Sequence, residues 1–316
     1  MSSITAIQLA KIHCVLGMVP FQVFMTIRLK NILCLTDFSK ASESALQFAA
    51  LVGRSYRAKI HALHVSAPGD YGQAVPGSIA LPEWEEKAEE KARRLASLTG
   101  DLAYEPIVEY APSVWPIVER LVQERQIDML VAGAYGRTGV RKLALGSVAE
   151  EILRRSPVPV LMIGSEGEKE AQSGAYLRRI LFTTDFTPDA AAAVPYAVSL
   201  AKEHGARLIL FHVMAKPDPS KKDRHLDLSV AEVMHYLHET IPEGAELPFP
   251  SEVAVEFGDA SEQIVRAAQK RDIQMIVMGI RSARVPSQGA MPLGRGVANS
   301  VIACGPCPVL AVRARN

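Results

Sequence analysis

The sequence predicts an α/β protein of two tandem three-layer sandwiches, each a five-stranded parallel sheet covered by helices on both faces. Three observations point there. Short, continuously apolar runs alternate with longer amphipathic stretches, as expected for strands buried on both faces between helices. The whole pattern occurs twice, with the same landmarks in the same order. At 316 residues the chain is also about twice the length of one ordinary domain.

The repeat is legible residue by residue. Asn31-Ile32-Leu33-Cys34-Leu35-Thr36-Asp37-Phe38 reads against Arg179-Ile180-Leu181-Phe182-Thr183-Thr184-Asp185-Phe186, so Asp185 lies 148 positions (185 − 37) after Asp37. His64-Val65 pairs with His212-Val213 at the same offset. Gly133 pairs with Gly279, and Pro157-Val158-Pro159-Val160-Leu161 with Pro306-Cys307-Pro308-Val309-Leu310. A period as long as a whole domain marks a duplicated, fused domain rather than a solenoid. The expected organisation is an N-terminal extension over 1–25, a first domain over 26–164, a linker over 165–176 and a second domain over 177–316. Around the linker, Gly164 to Gly174 (GSEGEKEAQSG) has the composition of a flexible tether.

In the first domain the apolar runs place strands at Asn31–Leu35, Lys59–Val65, Tyr104–Tyr110, Met129–Ala132 and Val158–Ile163. Helices are expected near Ser42–Ser55, Pro82–Leu98, Pro116–Arg125 and Ser147–Arg155. The first follows Ser39, a suitable N-cap, and carries Ala45, Phe48, Ala49 and Val52 at helical spacing. The charge run from Glu85 to Lys91 reads as a solvated helix face with i,i+4 pairs. In the second domain strands are expected at Arg179–Thr183, Arg207–Val213, Glu252–Phe257, Met275–Met278 and Pro308–Val312. Pro159 and Pro308 fall at strand starts, where no ladder N–H is required.

Residues 1–25 read less simply. Ile12 to Phe24 is as apolar as the core of a signal peptide, but only Lys11 closely precedes it and no small-x-small cleavage site follows. A disordered or artefactual extension, with translation starting at Met25, is the expectation. No later stretch reaches about 18 uncharged apolar residues, so no transmembrane helix is expected. A formal net charge of +1 gives no global field to recruit nucleic acid or an anionic membrane. Four cysteines make no disulfide framework. A reducing compartment, hence the cytoplasm, is the simpler reading.

Ligands of open parallel sheets bind at the carboxyl ends of the strands, where the winding direction changes. Thr36-Asp37 belongs there, directly after the first strand, as does Gly133 to Val148 (GAYGRTGVRKLALGSV) after the fourth. Gly133 and Gly136 let backbone approach a ligand closely. Gly146-Ser147 opens a helix whose unpaired N–H groups favour a phosphate, with the Ser147 hydroxyl beside them. Arg137, Arg141 and Lys142 add positive charge. Asp37 also reads as a turn or cap residue at a helix entrance.

The spacing Gly133-x2-Gly136-x9-Gly146-Ser147, with the opening Thr36-Asp37 and closing Pro-Val-Pro-Val-Leu, resembles the G-x2-G-x9-G-[ST] loop of the ATP-binding universal stress proteins. The resemblance spans residues from about 30 to 315 in two copies. It implies a Rossmann-like (adenine nucleotide α-hydrolase-like) fold and ATP, with Mg2+, as the ligand. Asp37 and Val65 would then contact the adenosine part. Gly133, Gly136, Gly146, Ser147 and Val148 would hold ribose and phosphates, with Thr36 and Arg137 alongside. In that family the final strand commonly pairs domains, which implies an internal pseudo-dimer and a further homodimer.

The second copy departs from the motif. Gly279 and Asp185 remain, but Ser282 replaces the second glycine, Pro286 and Pro292 enter a longer loop, and Arg295-Gly296 aligns with Gly146-Ser147. A degenerate, structural second domain is expected. The implied role is that of a regulatory or sensor protein acting on an unknown protein partner. A slow ATPase or a scaffold without nucleotide is the alternative. Efficient catalysis is not expected, because no Walker lysine, acidic metal pair or positioned base is present, and the S-G-G-x-D-S loop of the related hydrolases is absent.

Other motifs have plainer readings. Cys304-Gly305-Pro306-Cys307 has the spacing of a redox pair but lies between the last helix and last strand, so buried structural thiols are expected. His235-x2-His238 with Glu239 shares a helix face but lacks further ligands, so no metal is expected. His64 and His212 occupy matching strand ends, where an internal hydrogen bond is expected.

Overall fold

The computed structural model describes residues 27–66, 81–135, 145–164, 176–216, 226–281 and 296–314. The chain divides into two compact units, Arg28–Ala175 and one containing Tyr176–Asn316. The first runs β1 (Asn31–Leu35), α1 (Lys40–Tyr56), β2 (Lys59–Ser66), α2 (Leu81–Arg94), a 3-10 turn (Leu95–Leu98), β3 (Tyr104–Tyr110), α3 (Trp115–Glu124), β4 (Met129–Gly133), α4 (Ser147–Arg155) and β5 (Val160–Ile163). The second runs β6 (Arg179–Thr183), α5 (Pro188–His204), β7 (Arg207–Met214), α6 (Leu226–Glu239), β8 (Glu252–Phe257), α7 (Ala260–Lys270), β9 (Met275–Gly279), α8 (Val297–Cys304) and β10 (Val309–Val312).

Within the first unit the strand order is β3-β2-β1-β4-β5, every neighbour parallel. The second repeats it as β8-β7-β6-β9-β10. Parallel neighbours need crossovers, and the intervening helices supply them. Because β1 lies between β2 and β4, the chain winds away from it in both directions. The ends of β1 and β4 therefore flank the switch point, and those of β6 and β9 do the same in the second unit.

The strands are apolar on both faces because both faces are covered. Ile32, Leu33, Cys34, Leu130 and Val131 are fully buried, as are Ala45, Phe48, Ala49 and Val52 on the inner stripe of α1. Burial pushes the Cys34 thiol up to about 12, which leaves it a packing residue. Ser39 caps α1 by accepting from Ser42 N at 3.3 Å, so the helix starts at Lys40, earlier than the periodicity suggested. β5 starts at Val160, later than expected. Pro159 has no N–H to give the ladder, and Ser156 Oγ holds Val158 in a turn instead.

The amino ends of the strands carry matching ion groups. Glu105 on β3 meets Lys59 at 2.5 Å and Arg125 at 3.1 Å. Glu252 on β8 meets Arg207 at 3.5 Å and Arg271 at 3.6 Å. On α2 the charge run forms the i,i+4 pairs Glu89–Arg93 and Glu90–Arg94.

Among the described residues no helix is long and apolar enough to cross a membrane. The expectations for residues 1–25, and for Gly136, Arg137, Arg141, Lys142, Ser282, Pro286, Pro292 and Arg295, lie outside the described residues, as do those for the linker apart from Tyr176.

Candidate functional site

The end of β1 turns into α1 through a tight set of hydrogen bonds. Thr36, buried, donates its N–H to Leu63 O at 2.8 Å and its hydroxyl lies 3.1 Å from Ser42 Oγ. Asp37 Oδ1 accepts from Ser39 N at 3.0 Å and from Ser39 Oγ at 2.5 Å. Asp37 is thus the turn residue of the helix entrance and Ser39 the cap, the plainer of the two roles the sequence allowed. Between them Phe38 has φ 62°, the left-handed region that bulky residues avoid.

Beneath this turn lies His64, near the end of β2. Its Nδ1 donates to Thr36 O at 2.8 Å, and Ser66 Oγ lies 2.9 Å from Nε2. The Phe38 ring rests against the imidazole with centroids 4.3 Å apart. Val65, next along β2, is half-buried and pairs with Glu109 of β3. The internal hydrogen bond expected of His64 is present. Phe38 was not singled out in the sequence, although its recurrence as Phe186 after the same Thr-Asp pair was a usable signal.

β4 ends in Gly133, one strand away from β1. A Cβ there would stand 3.3 Å from Tyr135 O and 3.5 Å from Ala41 Cβ, so α1 approaches closely without strictly demanding glycine. Gly146 is the N-cap of α4; its N–H donates to Ala134 O at 2.9 Å and its carbonyl accepts from Glu150 N. Among the described residues no side chain caps the helix. The opening N–H groups of α4 therefore have no intrahelical partner, and exposed Ser147 and Val148 lie among them. The structure places Thr36, Asp37 and Gly133 at the carboxyl ends of adjacent strands, Val65 near the end of β2, and Gly146, Ser147 and Val148 at the α4 entrance. This donor set suits a phosphate, and Asp37 suits a polar nucleoside group.

The second unit repeats the first turn almost atom for atom. Asp185 Oδ1 accepts from Thr187 N and Oγ1, Phe186 has φ 55°, and His212 Nδ1 donates to Thr184 O at 2.7 Å. Burial holds the His212 pKa below its usual value, opposed by the bond to Thr184 and by the Asp185 charge. One detail of the sequence alignment is corrected. The residue matching Gly146 is Gly296, which caps α8 with the same open geometry, and not Arg295. The glycine is kept and the Ser147 hydroxyl becomes Val297.

The remaining motifs sit away from these strand ends or serve the fold. Cys307 is buried but Cys304 is exposed at the end of α8, so only one of the two thiols is a core group. His235 pairs with Glu239 on α6 at 3.1 Å.

These features define a tandem parallel α/β protein whose candidate site lies at the switch point of its first repeat. The universal stress protein family matches the chain twice, over residues 28–164 and 177–313. The chain belongs to that family, and membership supports a role in the stress response. It is 29% identical over 140 residues to universal stress protein MJ0531 of Methanocaldococcus jannaschii, covering 42% of this chain and 81% of that one. To universal stress protein Slr1230 of Synechocystis it is 33% identical over 125 residues, covering 40% of this chain and 39% of that one. The solved structure of a universal stress protein from Archaeoglobus fulgidus superposes with a TM-score of 0.66 at 25% identity, covering 92% of this chain and all of that one.

Proposed function

We propose that the first repeat, residues 26–164, binds ATP with Mg2+ and that the protein acts as an ATP-responsive regulator or sensor in the cytoplasm. The observation that carries this is the α4 entrance. A glycine-capped helix with no side-chain cap among the described residues follows β4 beside the β1 end, within a loop whose glycine spacing fits phosphates. Thr36, Asp37 and Val65 would serve the nucleoside. Gly133, Gly136, Arg137, Gly146, Ser147 and Val148 would serve ribose, phosphates and the ion that neutralises them.

Residues 177–316 would form a degenerate partner domain. The two repeats would pair as an internal pseudo-dimer through their last strands, since VLMI and VLAV are wholly apolar and stand last in the strand order of each unit, where an edge left unpaired would invite association. A homodimer and a regulatory protein partner would use other surfaces of the two repeats. Occupancy would act by shifting a conformational or partner equilibrium, which requires different ATP affinities in the two states.

Calorimetry with ATP and Mg2+ tests the reading on the intact chain and on a Gly146→Arg, Ser147→Val double variant, with hydrolysis followed in parallel. One ATP per chain, lost in the variant, is expected. Two per chain would mean that the second repeat also binds. No binding to a folded wild type would sink the ATP reading and leave the scaffold.

A further inference from the structure

The candidate site contains a buried histidine that the ATP reading leaves without a role. His64 is 5% exposed, too deep to be a principal ligand contact. Its hydrogen bonds fix its chemical form. A carbonyl can only accept, so Nδ1 carries the hydrogen bonded to Thr36 O. In the neutral ring Nε2 is then an acceptor, and the Ser66 hydroxyl donates to it.

The Thr36 carbonyl belongs to the peptide that leads into Asp37. The next residue, Phe38, is held at a φ of 62°, a conformation that persists only where surrounding contacts over-determine it. Its contacts include a bond from Phe38 N to Thr36 Oγ1 at 3.1 Å and the tilted packing of its ring against His64. His64 thus grips the turn on both sides of Asp37, at the carbonyl before it and at the aromatic ring after it.

We infer that His64 is a positioning residue for the first repeat: through its bond to the Thr36 carbonyl it holds the turn that presents the Asp37 carboxylate to ligand. This rests on the ATP reading above. The second repeat is an internal control, because His212, Thr184 and Phe186 form the same clasp beside a loop that has lost the motif.

The test measures ATP affinity by calorimetry and thermal stability together, in the intact chain, for His64→Leu, His64→Asn, His64→Gln and His212→Leu. Asparagine puts an amide N–H where Nδ1 stands, whereas glutamine puts its amide near the Nε2 position and cannot make the Thr36 bond. His64→Leu and His64→Gln are expected to weaken ATP binding about tenfold, the scale of one lost buried hydrogen bond. His64→Asn is expected to stay within about twofold of wild type. His212→Leu should lose similar thermal stability with no change in affinity. Should His64→Leu fail to fold, the comparison of Asn with Gln carries the same decision. Wild-type affinity in His64→Gln, equal loss in Asn and Gln, or an equal loss in His212→Leu would each overturn the inference while leaving ATP binding intact. Absence of ATP binding by folded wild type would instead overturn the ATP reading, and this inference with it.

Discussion

Both repeats fold the end of their first strand identically, and they part company at the end of the fourth. Asp37 and Asp185 make the same turn, His64 and His212 the same bond, Phe38 and Phe186 the same left-handed backbone. A feature kept in both repeats, one with the loop motif and one without, does not by itself tell a binding repeat from a structural one. The residues that differ locate the function more sharply. Ser147 faces Val297 across the comparison, and Ala41 faces Asp189. The second repeat also stocks its strand ends with charges of its own. Asp189 Oδ1 accepts from Ala314 N at 3.1 Å, and Arg313 donates to Arg281 O at 2.6 Å. Burial lowers the Arg313 pKa, with the Asp189 charge opposing it. The first repeat has Ala41 and Gly164 at those positions.

The same contrast sets the largest expected effect. A Cβ on Gly279 would stand 2.3 Å from Ala190 N and 2.4 Å from the Asp189 backbone, which cannot move without displacing the start of α5. Gly279→Ala should therefore cost roughly 3 kcal/mol or more. Gly133→Ala meets nothing closer than 3.3 Å and should cost about 1 kcal/mol or less. Urea unfolding of each variant measures both. Equal losses would break the claim that the second glycine serves packing and the first leaves room for a ligand.

How much of this was legible in the sequence follows from the range of the forces involved. The ten strands and the duplication were readable because double burial writes an unbroken apolar run such as Ile32-Leu33-Cys34. The Asp37 turn was readable only as one of two roles, because a carboxylate after a strand looks the same whether it binds Ser39 or a ligand. The match of Gly296 to Gly146 was misread by one position. α8 is a residue shorter than α4, and a one-residue change inside a helix leaves no mark on composition. The bond from Ala314 N to Asp189 was not readable at all, since 125 positions separate the partners and only the fold brings them together.

Acid should separate the repeats next. His204, at the end of α5, has its pKa lowered to about 4 by burial, and the first repeat has Tyr56 in its place. The folded state holds this ring neutral, so below the ordinary value of about 6.5 the unfolded chain binds more protons. Stability is complete above pH 6.5 and is lost as pH falls from there towards 4. The loss should be on the order of 2 kcal/mol, less than full linkage because the ring is part-exposed. His204→Tyr should flatten that part of the pH profile, measured by urea unfolding between pH 7 and 4.5. An unchanged slope would assign the acid sensitivity to other groups, with His61, lowered by burial against Glu105, the first to examine.

The smallest effect lies where two helices end alike with different residues. α1 stops at Arg57 (φ 52°, ψ 41°) and α5 at Gly205 (φ 62°, ψ 35°). In each the next N–H reaches back five residues, Ala58 to Gly53 O at 2.9 Å and Ala206 to Ala201 O at 2.8 Å. The left-handed cap suits glycine, because a Cβ there crowds the carbonyl. Arg57→Gly should therefore stabilise the first repeat, by about 0.5 kcal/mol once the greater freedom of glycine in the unfolded chain is subtracted. Gly205→Ala should destabilise the second by about 1 kcal/mol. A gain at 57 without a loss at 205 would mean that Arg57 carries a strain that its neighbours, and not its backbone angles, impose.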